Sequence, residues 1–151
     1  MKHLTPADPD FRQRVHDSFG RQAVMATLGA TLEVAEVGRV VIVMPHKAAL
    51  SQQHGFLHAG IVATALDSAC GYAAYSLMPA GAAVLTIEFK VNLLAPARGP
   101  WFRFEGLVTK AGRTISVVEG KAYQHDAGEP ESLCATMTAT IMTVLDRGLT
   151  H

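Results

Sequence analysis

A chain of 151 residues is long enough for one domain that buries roughly two thirds of the surface its unfolded form would expose. With 49% apolar and only 17% charged residues it is apolar for a globular protein, which predicts surface buried against other subunits as well as an internal core. Thirteen acidic residues balance thirteen basic ones, so no single-sign field exists to hold nucleic acid or an anionic membrane surface.

The first residues, MKHLTPADPDFRQRVHD, are polar and contain no signal-peptide hydrophobic region. Asp8-Pro9-Asp10 reads as a helix start, with a capping acid and Pro at the first helical position. Phe11, Val15 and Phe19 follow at fourfold spacing, which predicts a short amphipathic helix inside an N-terminal helical segment of about 8–26. From Thr31 to Met44 the chain is β-rich and broken at Gly38, giving two strands, as in a hairpin. A loop, HKAALSQQHGFLHAG, leads into an apolar stretch from Leu57 to Met78 that ends at Pro79 and Gly81. That stretch is rich in Ala, Gly, Ser and Thr and carries Asp67 at its middle. A mid-bilayer Asp costs about 3 kcal/mol with too few large apolar residues to offset it, so a helix buried inside a soluble protein is the expectation.

Beyond the helix the period changes to two. In VLTIEFKVNLL, Leu85, Ile87, Phe89, Val91 and Leu93 alternate with Thr86, Glu88, Lys90 and Asn92, the pattern of a half-buried strand. Pro96, Gly99 and Pro100 mark a turn, WFRFEGLVTK is a strand, Ala111-Gly112-Arg113 a tight connection and TISVVEGKAYQ a further strand. DAGEPE turns the chain into LCATMTATIMTVL, where Leu133, Ala135, Met137, Ala139 and Ile141 share one face. Residues 147–151 form a tail. The order is a helix, two strands, one long buried helix and a four-strand antiparallel meander, without repeats or linkers. Only the sheet is available to cover the apolar helix, so the fold class is α+β, one domain over 1–151 in which a curved antiparallel sheet encloses one helix. Cys70 and Cys134 stand far apart without metal spacing, and read as reduced, buried residues of a cytoplasmic protein.

Chemistry concentrates in Gln52-Gln53-His54-Gly55-Phe56-Leu57-His58-Ala59-Gly60 and, further on, Leu66-Asp67. A helix start offers unpaired N–H groups and a partial positive charge that can polarise a carbonyl and stabilise the oxyanion formed on attack. Asp67 lies nine residues beyond His58, about 13 Å along one helix, so one copy cannot bring both to a single carbon. If both act, Asp67 faces a helix start from another subunit. From periodicity alone Asp67 is equally well a structural residue hydrogen-bonded to a neighbouring Ser, Thr or backbone group, and His58 alone reads as a capping residue. His54 and His58 at i, i+4 lack a third ligand for zinc, and no metal is expected.

This joint pattern resembles the PaaI-like group of hotdog-fold acyl-CoA thioesterases, whose signature is H-G-G followed by a Leu-Asp pair on the central helix. Here it stands as His58-Ala59-Gly60 with Leu66-Asp67 at the family's spacing. The likeness covers most of the chain. LGATLEVAEVGRVVIVMP is similar to the first hairpin, VLTIEFKVNLLAPARG to the strand after the helix, and AGRTISVVEGKAYQHDAGEPESLCATMTAT to the closing strands. The resemblance implies hydrolysis of a small aromatic or short- to medium-chain acyl-CoA, with no cofactor beyond the coenzyme A of the substrate. It implies Asp67 as nucleophile or general base and the backbone N–H of Ala59 as oxyanion donor, where the family usually has Gly. His58 would orient the site, Gln52 would contact the thioester or water, and Thr86 would assist water. Arg98, Lys110 and Arg113 lie near strand turns and could meet the coenzyme A phosphates; each is equally an ordinary solvated charge. Phe56, Tyr72, Tyr75 and Met78 could line the acyl pocket or serve as packing. The partners implied are the acyl-CoA substrate and copies of the same chain, a homodimer at least and a dimer of dimers (homotetramer) by resemblance. Two alternatives share the fold. An acyl-thioester dehydratase or hydratase needs a His–acid arrangement that is not present around His58. A non-catalytic acyl-CoA-binding protein has no use for Asp67.

Overall fold

The computed structural model describes residues 3–149. The elements in chain order are α1 (Phe11–Arg21), α2 (Ala23–Leu28), β1 (Thr31–Glu36), β2 (Arg39–Pro45), α3 (Ala59–Tyr75), β3 (Ala83–Leu93), β4 (Trp101–Lys110), β5 (Ile115–His125) and β6 (Ser132–Val144). The six strands form one antiparallel sheet in the order β1-β2-β4-β5-β6-β3. Helix α3 lies across it, packed against β2, β3, β4, β5 and β6. The α+β architecture expected from the alternating and helical periods is therefore present.

Local chemistry corrects several boundaries. The first helix begins at Phe11 rather than at Pro9. Asp8 instead holds a turn ahead of it, accepting from the Asp10 N–H at 2.9 Å and pairing with the Arg14 Nε at 2.9 Å. Gln22, with extended backbone, breaks the helical segment into α1 and α2, and α2 ends at Gly29 in the left-handed region (φ 70). Arg14 donates to the carbonyls of Pro79 (2.8 Å) and Met78 (2.7 Å) and lies over the Tyr75 ring. It thus ties α1 to the end of α3, where helical carbonyls lack partners and the dipole is negative. The long helix itself spans Ala59–Tyr75, shorter than the apolar stretch from Leu57 to Met78, because tighter turns from Leu77 to Ala74 and from Met78 to Tyr75 close it before Pro79. It is shorter than a membrane crossing requires; among the described residues no helix is long and apolar enough to span a bilayer.

The four-strand meander is also corrected. Only β4, β5 and β6 follow one another, while β3 crosses to the far edge and pairs with β6. Its alternating apolar residues are consequently not half-buried against a strand on both sides: Leu85, Ile87, Phe89 and Leu93 are 42–53% exposed. A single helix covers the middle of a six-strand sheet, and this edge extends past it. On β6, by contrast, Ala135, Met137, Ala139 and Ile141 are buried as their alternation predicts, while Leu133 near the strand's start is exposed, and both cysteines are free and buried. The tail that follows is described as far as residue 149; positions 150 and 151 of that expected segment lie outside the described residues.

The helix approaches the sheet at a paired glycine site. Gly106 on β4 stands opposite Gly120 on β5. A Cβ on Gly106 would lie 2.3 Å from the Ala69 carbonyl oxygen, and one on Gly120 would lie 3.0 Å from the Cys70 Sγ and 3.2 Å from a Leu66 methyl. The first contact is with helix backbone, which cannot rotate aside. Gly106→Ala is therefore expected to lower stability by about 1–3 kcal/mol or more, read as a fall in the denaturation midpoint. Unchanged stability would show that α3 is not seated on β4 at this depth.

Candidate active site

His58 is the N-cap of α3, and its Nδ1 accepts from the Gly60 N–H at 2.9 Å. The N–H groups of Ile61 and Val62 go to the His58 carbonyl at 2.9 and 3.2 Å. Among the described residues these bonds leave the Ala59 N–H as the first-turn donor that the chain does not use. Ala59 is solvent-exposed and lines an open cavity of about 370 Å3 with Gln52, Phe56, Leu94 and Cys134. The structure thus brings Gln52, His58 and Ala59 together at the helix start, as expected. Gln52 is held by its own loop: its side-chain oxygen accepts from the His54 N–H, and its backbone N–H donates to Phe56 O.

Asp67 occupies a second place. From Ala65 to Tyr75 it is the one residue of α3 that is not fully buried, because it faces the β3 side where the sheet edge ends. Thr86 of β3 donates its hydroxyl to the Asp67 Oδ1 at 2.7 Å, so these two expected site residues are also brought together. Burial raises the Asp67 carboxyl above the usual aspartate range, and the Thr86 hydrogen bond pulls it part of the way back. A cavity of about 270 Å3 opens beside the pair, bordered by Gln22, Ser68, Gly71 and Tyr72. The nearby Cys70 thiol is pushed up to about 12, first by burial and then by the Asp67 charge, and is not a nucleophile at neutral pH.

The two groups do not meet within one copy. Ala59 and Asp67 are eight residues apart on a straight helix, about 12 Å, and they line different cavities. Of the basic residues, Arg98 stacks over the Phe56 ring at 5.5 Å beside the Ala59 cavity, while its backbone N–H donates to Gln124. Lys110 and Arg113 lie at the opposite end of β4, on the level of Leu85 through the Ile115–Met142–Leu85 register. Phe56 and Tyr72 line the two cavities, whereas Tyr75 is core packing and Met78 is buried away from both. Among the described residues no three His, Cys, Asp or Glu side chains stand together as a metal would require.

Sequence reasoning did not find Gln22, Ser68 and Gly71. Ser68 donates to the Gln22 side-chain oxygen at 3.2 Å, placing the break between α1 and α2 next to Asp67. Gly71 carried a usable signal, since a glycine inside a helix costs about 1 kcal/mol against alanine and asks for a reason. Gln22 carried none.

A curved antiparallel sheet around one central helix defines the hotdog fold class. The profile of the thioesterase superfamily matches residues 54–131, and the chain belongs to that family. A crystal structure of a thioesterase family protein from Silicibacter pomeroyi is 58% identical, with a TM-score of 0.88 over 89% of this chain and 98% of that one. The PaaI protein of the phenylacetic acid degradation operon of E. coli shares the fold at a TM-score of 0.81 and 18% identity, over 91% and 96% of the two chains. A protein from Saccharolobus solfataricus named provisionally as an esterase is 41% identical over 56% of this chain, and the match spans 59% of that relative's length. A similarly named protein from Halobacterium salinarum is 34% identical over 64% of this chain and 66% of its own.

The raised Asp67 carboxyl has a consequence for stability. A carboxyl whose folded pKa lies above its unfolded value contributes stability that is fully present below the unfolded pKa and is lost as pH rises through the folded one. Asp67→Asn is therefore expected to be more stable than the wild type at about pH 7, with the gap closing by about pH 3. Denaturant titrations of both proteins at the two pH values check this, and an acid-side gap as large as the neutral one refutes it.

Proposed function

We propose that the protein hydrolyses acyl-CoA thioesters, releasing a free acid and coenzyme A, at a site assembled from two copies of the chain. Asp67 with Thr86 supplies one half, and the Ala59 N–H with Gln52 and His58 supplies the other. The observation that carries this reading is the separation itself: a half-buried carboxylate and an unclaimed helix-start donor, each at an open cavity, about 12 Å apart along one helix. A thioester carbonyl needs both at once, so the second half comes from a partner. The exposed apolar residues of β3 support that partner being another copy, since an uncovered apolar edge strand next to Asp67 asks to be paired.

Chemically, a thioester is a good electrophile with a good leaving group. Asp67 either attacks the carbonyl carbon, giving an anhydride that water opens, or takes a proton from water as water attacks. In both routes the developing oxyanion is met by the Ala59 N–H, whose position is fixed before reaction. Thr86 orients the carboxylate through its hydrogen bond. Arg98, over the ring of Phe56, would meet a phosphate of coenzyme A, which its contact with a residue of the Ala59 cavity supports. Lys110 and Arg113 stand at the Asp67 end instead, and each would serve the phosphates only from the copy that supplies the acid.

Asp67→Ala should lower turnover on acyl-CoA substrates by at least about 100-fold while the protein stays folded. Mixing that variant with Gln52→Ala, after subunit exchange, should restore activity that neither parent shows, because one site in each mixed dimer is intact. Near-full activity of Asp67→Ala removes the residue from its role, and absence of complementation removes the shared site. Both routes need the ionised acid, so the acidic limb of kcat/KM is expected above the usual aspartate range. Thr86→Val deletes the hydrogen bond that lowers the Asp67 pKa and should move that limb to higher pH.

A further inference from the structure

Beside Asp67 the helix carries a gap. Gly71 lies one turn further along α3, four residues or about 6 Å, on the same stripe as the carboxyl. Its conformation is helical, so it is not a glycine demanded by backbone geometry, and a Cβ built on it meets no atom within 4 Å. The other helix-facing glycines differ: Gly106 and Gly120 are filled at once by the helix itself. Gly71 therefore faces open space, and that space is the cavity bordered by Asp67, Thr86, Tyr72, Ser68 and Gln22.

Packing and hydrogen bonds hold one wall of this cavity. Tyr72 is buried, packs on Phe19 with ring centroids 5.9 Å apart, and shares a hydrogen bond with Ser18 at 3.2 Å. Ser68 is tied to Gln22, so the break between α1 and α2 forms part of the rim. Gly71 lies about one helical turn, roughly 6 Å, from Asp67, so the atoms next to a thioester carbonyl held at Asp67 would enter the space it leaves. At about 270 Å3 the cavity has room for a ring beside the carboxyl.

We propose that this cavity is the acyl pocket and that the missing side chain at Gly71 sets its size, admitting acyl groups with a ring or branch next to the carbonyl. The proposal rests on the thioesterase reading and deepens it by placing the acyl group on the Asp67 side of the shared site. Gly71 acts here as a specificity-determining position, through volume alone. A side chain at 71 takes up the space of the ring and leaves room for a methyl.

The test separates this inference from that reading. Two thioether ketones that cannot be hydrolysed, acetonyl-CoA and phenacyl-CoA, differ only in methyl against phenyl. Their affinities are measured by calorimetry for the wild type, Gly71→Ala and Gly71→Leu, alongside kcat/KM for acetyl-CoA and benzoyl-CoA. The ratio of phenacyl-CoA to acetonyl-CoA affinity is expected to fall by at least about tenfold in Gly71→Leu and by less in Gly71→Ala, with the kcat/KM ratio following. Gly71→Ala should melt no lower than the wild type, since alanine is the better helix former and meets nothing. Equal losses on both analogues, no change in the ratio, or no binding of either by the wild type overturns the inference. A wild type that binds phenacyl-CoA selectively but cleaves no thioester overturns the hydrolase reading and leaves the pocket standing.

Discussion

The depth at which α3 sits on the sheet governs the rest of the molecule. Two glycines facing each other on β4 and β5 let the helix backbone come down to the strands, with the Ala69 carbonyl over Gly106 and Cys70 over Gly120. A helix this close must be made of small residues on its sheet side, and Ala69, Cys70 and Ala73 are fully buried there. Close seating also fixes the rotation of the helix about its axis. With Leu66 and Ala69 turned down, Asp67 can point only to the flank, toward β3, where Thr86 meets it. The carboxyl is thus held at the margin of the core, dry enough to raise its pKa and open enough to reach a ligand.

Margins of this kind cost stability, and the surrounding structure offsets it. A half-buried carboxylate is unfavourable where it stands, yet the Thr86 hydroxyl returns part of the lost solvation. Helix ends are treated in the same manner. Arg14 takes the carbonyls of Met78 and Pro79 at one end of α3, and His58 takes the Gly60 N–H at the other. The helix is therefore anchored at both ends while its middle carries the acid.

The architecture was legible wherever one segment's period decided it. The alternation in β6 and the small-residue helix led directly to elements that exist, and the Gly38 break to a hairpin turned at positive φ. The place of β3 was not legible, because alternation shows that a strand has an apolar side but not which neighbour lies beside it. The close approach at Gly106 and Gly120 was not read from the sequence either, although a glycine inside a strand can mark one. In the site, Asp67 stood out because a charge in an apolar helix is expensive, whereas Ala59 came from the family resemblance, helix ends in general explaining only why a backbone N–H there can serve. Gln22 was invisible: its role depends on a helix break and on a contact 46 positions away with Ser68.

The helix cap bears on the alanine at position 59. A methyl here narrows the space in front of the helix start, but the donor is a backbone group and is not removed by it. Which donor stays free is decided by the neighbours. His58 Nδ1 occupies the Gly60 N–H, and the His58 carbonyl occupies those of Ile61 and Val62. Ala59 is left as the first-turn N–H with no claimant among the described residues, pointing along the helix axis where the dipole is positive. His58 can do this only with Nδ1 unprotonated, since a protonated nitrogen has no lone pair to accept with. On the proposed reading the histidine thereby shapes the oxyanion donor without touching the carbonyl, by removing the competing N–H beside it.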